Sequence, residues 1–249
     1  MWDRQVGMKA NRVGSRRLRS AIMQERRFEI NGIPGRLYEV AGPSGLLLFG
    51  HRGTLSKDDP GTVSLCRTLA ERTRLGVVCV DAPAHGERHP NTGDAALDAR
   101  MVVEAVASGA EQMVADWHAT ADHLAGYGPP RAYVGLSMGA MSGFLTVASM
   151  PTVAAAVFVA AGVPAFAAKG ERPEGSTTPH LEAAARIANS QVLMCNMTGD
   201  DLFEPDGVVE LFGAIPGQHK QLVFWEGDHD YEPSELIDAA CRFVRRFAG

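Results

Sequence analysis

At 249 residues, with 45% hydrophobic and 21% charged residues, the chain has the composition of an ordinary soluble globular protein and is long enough to bury a large core. A formal net charge of -5 leaves no overall electrostatic reason to bind nucleic acid or an anionic membrane. The longest apolar run, Val153 to Ala161, falls well short of the roughly 20 residues that a membrane span needs.

Charge is nevertheless uneven along the chain. Residues 1–27 hold eight of the 24 Lys and Arg residues (Arg4, Lys9, Arg12, Arg16, Arg17, Arg19, Arg26 and Arg27) against two acids, Asp3 and Glu25. This stretch is read as a loosely ordered basic extension, without the apolar h-region of a secretory signal. A solvated tail, or sequence upstream of a start at Met23, is the plain account; an organelle-targeting peptide or an anion-binding arm is the alternative. The remainder, 28–249, is expected to form one domain.

That domain opens with "RRFEINGIPGRLYEVAG", two short strands joined at Asn31-Gly32. An alternation of apolar strand and amphipathic helix follows, which signals a mostly parallel α/β sheet. Strands are predicted at Leu46 to Phe49, Val77 to Val80, Ala132 to Leu136, Ala154 to Val159, Val192 to Met197 and Gln221 to Trp225. Apart from their ends they lack polar alternation, as strands do when helices cover both faces. Helices are predicted over Thr62 to Arg72, about Ala95 to Leu124 with a break near Gly109, Met138 to Ser149, about Asp206 to Phe212 and Glu235 to Phe247. In the last of these, Ile237, Ala240, Cys241 and Val244 make one apolar stripe. Val163 to Ser190 breaks the rhythm with Pro, Gly and Ser before a short Ala-rich helical stretch, and is read as a cap insertion. Cys66, Cys79, Cys195 and Cys241 fall inside apolar or helical patterns without close pairing, as buried thiols do in reducing compartments, which suggests the cytoplasm.

The chemistry gathers at "YVGLSMGAM". Ser137 stands between Gly135 and Gly139, after a predicted strand and before a predicted helix, the setting in which a G-x-S-x-G turn lifts a serine above the carboxyl edge of a sheet. The helix N-terminus behind it offers backbone N–H groups to a developing oxyanion, Met138 first. A serine hydroxyl needs a histidine to take its proton and a carboxylate to orient that histidine. In this arrangement the chain order is Ser, then Asp or Glu, then His. Asp200 and Asp201 follow one late strand in "TGDDLFEP", and His229 follows the last in "EGDHD".

With "FGHRGTLSKDD", "DAPAHGERHP" and "GLSMG", these two segments resemble the α/β-hydrolase fold, and more narrowly the small bacterial esterases related to dienelactone hydrolases and to the prolyl oligopeptidase catalytic domain. The resemblance covers roughly 28 to 248. It implies Ser137 as nucleophile, His229 as general base and Asp201 as the acid, chosen over Asp200 from its distance to the strand and the Pro205 that follows. It also implies an oxyanion hole of the Met138 and Gly53 amides. The family's first loop usually reads His-Gly before the donor, whereas this chain has His51-Arg52-Gly53, so Arg52 replaces a glycine. It either points to solvent or sets a cation beside the site that would suit an acidic group on the substrate.

His85 and His89 flank Glu87, but Pro83, Gly86 and Pro90 argue against the helix that would align both rings on a metal. His85 is expected beside the site, bracing it or touching substrate. His118, His123, His180 and His219 are read as surface or core residues, and Asp206-Gly207 as a helix cap. The implied activity is a carboxylesterase acting on small or medium acyl esters, without metal or cofactor, as a monomer or homodimer. A peptidase or thioesterase of the same fold, or a non-catalytic binding member, is the alternative.

Overall fold

Asn31 and Gly32 make the first turn of the described chain. β1 (Gln24–Ile30) and β2 (Ile33–Glu39) pair antiparallel with Ile30 opposite Ile33, and the two residues between them have φ of 51° and 74°. A two-residue turn with both φ positive matches the twist of the flanking strands, which is why Asn-Gly is favoured there. The computed structural model describes residues 23–164, 178–217, 219–230 and 233–249. Most of the basic extension, and residues 165–177 of the expected cap, lie outside them. β1 takes in Gln24 to Arg27, which the sequence assigned to the extension. Charged strand ends are hard to see in a sequence, and their partners are remote: Arg27 lies 2.9 Å from Asp58, and Arg67 2.6 Å from Glu25.

Six further strands are β3 (Leu46–Gly50), β4 (Gly76–Val80), β5 (Pro130–Leu136), β6 (Ala155–Val159), β7 (Gln191–Met197) and β8 (Lys220–Trp225). They join the hairpin in one eight-stranded sheet of order β1-β2-β4-β3-β5-β6-β7-β8, with every pair from β4 to β8 parallel. Helices make the crossovers: α1 (Pro60–Thr73), α2 (Ala95–Ser108), α3 (Ala110–His123), α4 (Met138–Ser149), α5 (Pro179–Ala185), α6 (Pro205–Ala214) and α7 (Ser234–Phe247). Gly109 divides α2 from α3 at the expected break. α1 begins two residues before its predicted start because Asp59 caps it, accepting from the Gly61 N–H at 2.9 Å, with Pro60 at the first helical position.

Alternate strand residues feed two cores. Leu46, Leu48, Val78, Tyr133, Phe158 and Met194 pack against Trp117 of α3, Phe144 of α4 and Leu211 of α6. Leu47, Phe49, Cys79, Val134, Val157 and Cys195 face Leu69 of α1 and Cys241 and Val244 of α7. With both faces covered, each central strand reads as an unbroken apolar run. All four cysteines are buried and free. No helix among the described residues is long and apolar enough to cross a membrane.

Candidate active site

β5 ends at Leu136 and α4 begins at Met138, so Ser137 alone makes the turn between them. It does so at φ 51°, ψ -114°, a backbone conformation that costs a non-glycine residue energy and persists only where its surroundings hold it. Those surroundings are tight. The Ser137 N–H donates to Val159 O at 2.8 Å, and its own carbonyl accepts from Met141 N at 2.9 Å. A Cβ on Gly135 would be driven into the Gly139 carbonyl, and one on Gly139 into the Gly50 and His51 backbone. Both glycines are therefore steric requirements of the turn.

The loops after β7 and β8 meet this serine. Ser137 Oγ lies 2.8 Å from His229 Nε2, and His229 Nδ1 lies 2.8 Å from Asp200 Oδ2. The acid is thus Asp200 and not the expected Asp201, which is exposed. Backbone pairing explains the one-residue difference. Beyond the strands, Thr198 N still donates to Trp225 O (2.9 Å) and Gly199 N to Gly227 O (2.8 Å), so Asp200 is the first residue released beside the His229 loop. Its other oxygen accepts from Leu202 N at 3.0 Å and Phe203 N at 2.9 Å. Burial opposes ionisation of Asp200, but the hydrogen bonds from His229 and these amides outweigh it and hold its pKa below the usual carboxylate range. An ionised carboxylate holds the His229 proton on Nδ1 and leaves Nε2 free to accept from serine. The three side chains form the triad of a serine hydrolase.

No protein-family model matches the sequence, and neither does any curated protein. Solved structures do match. A cold-adapted esterase from an Arctic intertidal metagenomic library is 26% identical, with a TM-score of 0.74 over 97% of this chain and 100% of its own. The esterase domain of a Rhodothermus marinus protein gives 18% identity and a TM-score of 0.63 over 91% of this chain and 100% of its own. Dienelactone hydrolase from Anabaena variabilis gives 17% and 0.62 over 92% and 100%. This chain has the α/β-hydrolase fold. The strand order and the triad agree, with Ser, Asp and His leaving the carboxyl ends of β5, β7 and β8.

Around the hydrolase's triad, the sequence missed the part played by His51. This buried ring accepts the Ala82 N–H at Nε2 (3.0 Å) and sits 2.7 Å from Arg52 O at Nδ1. The two contacts fix the tautomer, with the proton on Nδ1. The His51 carbonyl also accepts from Gly139 N at 3.1 Å, so one residue joins the β3 loop, the β4 loop and the first turn of α4. Burial pushes its pKa from 6.5 down to about 4; the bond to the Arg52 carbonyl works in the other direction, and neighbouring His85 adds to the lowering.

In the unfolded chain this imidazole takes a proton near pH 6.5, and in the folded chain only near 4. Stability is therefore complete above 6.5 and falls as pH drops through that window, by about 3 kcal/mol for this group. Urea unfolding at pH 7 and pH 4.5 checks this. The wild type is expected to lose about 2–3 kcal/mol more between the two than His51→Gln, which keeps an acceptor but does not titrate. Equal losses would assign the acid sensitivity elsewhere.

His85 is buried with Nδ1 2.8 Å from Pro83 O and Nε2 against Gly53 O. Both ring nitrogens face main chain, which joins the loop after β4 to the loop after β3. His89 bonds Asn91 instead. Arg52 points inward and not to solvent: its side chain is 11% exposed, Nη1 donates to His229 O at 2.9 Å, and Asp230 lies 3.6 Å away. Gly53 follows in the same loop, and Met138 opens α4, where the first N–H groups have no acceptor within the helix.

Behind these loops lies an ion-pair cluster centred on the buried Lys57 and Asp81, with no sequence signal beyond its charges. Lys57 Nζ contacts Asp81 (2.8 Å), Asp58 (3.0 Å) and Glu87 (2.6 Å). Asp81 also accepts from the Lys57 and Glu87 amides at 2.9 Å each. Burial works against charge on Lys57, but the bonds to these carboxylates prevail and raise its pKa. Gly86, at φ 53°, passes so close to Asp81 that a Cβ would strike the carboxylate. The cluster ties the β3 loop, which carries Arg52 and Gly53, to the loop after β4.

Proposed function

We propose that the protein is a carboxylesterase acting on small or medium acyl esters. The observation that carries this reading is the unbroken line Ser137 Oγ, His229 Nε2, His229 Nδ1, Asp200 Oδ2, with 2.8 Å at each contact. Ser137 attacks the ester carbonyl as His229 takes its proton. The Met138 and Gly53 amides receive the oxyanion, and His229 then protonates the departing alcohol. Water, deprotonated by the same imidazole, releases the acid from the acyl-enzyme. The esterase of the Arctic library supports the substrate class. Kinship with the prolyl oligopeptidase catalytic domain rests on the sequence motifs alone. The four buried free thiols support a reducing compartment such as the cytoplasm.

A small, mostly apolar cavity bears on acyl size. It has room for about 20 Å³ beside Met138 and is lined by Ala82, Pro83, Met113, Met138 and Met141, with Ser142 and His180 as its polar members. Space on that scale takes about one water, so a short acyl chain fits it best and a longer one has to displace methionine side chains, which adapt readily. A panel of p-nitrophenyl esters of rising length, with an aminoacyl anilide and an acyl thioester alongside, tests the reading. Turnover is expected to be highest with the short esters, and Met141→Ala to move the optimum toward longer chains. Faster cleavage of the anilide or thioester would replace the esterase by a peptidase or thioesterase. Silence across the panel, with no reaction toward a fluorophosphonate, would leave a binding protein.

A further inference from the structure

We propose that Arg52 is a positioning residue, which sets the height of His229 over Ser137 by pinning the main-chain carbonyl of that histidine to the loop after β3. The inference rests on the serine-hydrolase reading of the triad. The imidazole itself is gripped at both ends, by Ser137 and by Asp200. Among the described residues its backbone is held locally by Asp230 N donating to Asp228 Oδ1 at 3.2 Å. The loop follows β8, the last strand of the sheet, and Glu226, Asp228 and Asp230 are exposed. Gly227 O takes the Gly199 N–H at 2.8 Å at the start of the loop. Two residues later the guanidinium of Arg52 donates to His229 O at 2.9 Å, a contact between residues 177 positions apart.

The anchor at the other end is firm. The Arg52 carbonyl accepts from Leu55 N at 3.2 Å and lies 2.7 Å from His51 Nδ1, while the His51 ring is fixed in turn by Ala82 N–H. The His51 carbonyl holds Gly139 N, two residues past the nucleophile. Segment 51–53 therefore carries three bonds at once: to the turn that bears Ser137, to the loop that bears His229, and through Gly53 O to His85. Nucleophile and base are referred to one short piece of chain. A planar, charged guanidinium suits this task, because its bond to a carbonyl is charge-assisted and its geometry is preset. The glycine that the resemblance leads one to expect at 52 has no side chain to reach His229. A cavity of about 170 Å³, lined by Arg52, His51, Leu55 and Leu65 among others, adjoins the arginine.

Arg52→Met, Arg52→Lys and Arg52→Ala test the proposal, with kcat and KM on p-nitrophenyl acetate, the second-order rate of fluorophosphonate labelling, and the unfolding midpoint read for each. Arg52→Met keeps the stem and loses the donors. It is expected to lower kcat and the labelling rate by about 10- to 100-fold, with KM within about twofold, since a 1 Å misplacement near a reacting centre costs about that much. Arg52→Lys restores part of the loss, and millimolar methylguanidinium, entering through the adjoining cavity, accelerates Arg52→Ala but not the wild type. Unchanged kcat and labelling in Arg52→Met would overturn the proposal. So would a rise in KM confined to esters bearing a carboxylate, which would make Arg52 a substrate contact. A loss of rate that follows the unfolding midpoint, without rescue by lysine or methylguanidinium, would reduce it to a structural prop. Should the wild type hydrolyse no ester, the esterase reading fails while the labelling rates still decide the part played by Arg52.

Discussion

Ser137→Ala is expected to lower kcat for ester hydrolysis by about six orders of magnitude and to end labelling by a fluorophosphonate. The size of the effect follows from what the hydroxyl does. Without it no acyl-enzyme forms, and the ordered His229–Asp200 pair has no proton to take. Binding and the backbone amides survive, so the residual rate over water is set by them alone. Alanine tolerates the turn no worse than serine does, since both must adopt φ 51°. The fold should therefore be intact, and circular dichroism of the variant separates loss of chemistry from loss of structure. Persistent labelling in Ser137→Ala would move the nucleophile to another residue.

Asp200→Asn comes second, with an expected fall in kcat of about 10⁴-fold. An asparagine at 200 keeps the size of the side chain. The carboxylate oxygen 2.8 Å from His229 Nδ1 becomes an amide that can present its NH₂ group to the ring, favouring the tautomer with the proton on Nε2, which faces serine with a donor where an acceptor is needed. Asp201→Asn, at an exposed position, should leave kcat within about twofold, as surface changes remote from the reacting groups generally do. The pair of variants is read on the same ester under the same conditions. The opposite ranking would return the acid to position 201 and show that the loop rearranges in solution.

That one-residue question marks the boundary of what the sequence discloses. The strands were legible because helices cover both faces and leave long apolar runs, and the Asn31-Gly32 turn because few residue pairs accept two positive φ values. Ser137 was legible because the steric demands of its turn are written as two glycines. Asp200 and Asp201 are the same residue type side by side, and which of them turns inward depends on how far the β7 and β8 backbones stay paired past their ends. Pro205 was a poor guide, because it marks the first residue of α6 and not the position of the acid. Arg52 was visible as an unexpected cation, but its target is a main-chain oxygen, and main-chain atoms leave no mark in a sequence. The residues that brace the site, His51, Lys57 and Asp81, are ordinary polar letters until the loops after β3 and β4 are seen to touch.

The order of the strands also distributes risk unequally across the active site. The nucleophile rises from β5, which has neighbours on both sides, whereas the base is carried by β8, which among the described residues has only β7. β8 is partly exposed along its length, and at its start Lys220 is tied to the carbonyls of Phe212 in α6 and of Ile215 just after it. Edges open before centres when a protein breathes. Warming should therefore silence the enzyme by fraying one border of the sheet while the serine still sits in its turn, and the working range of the catalyst is narrower than the melting point of its core would suggest.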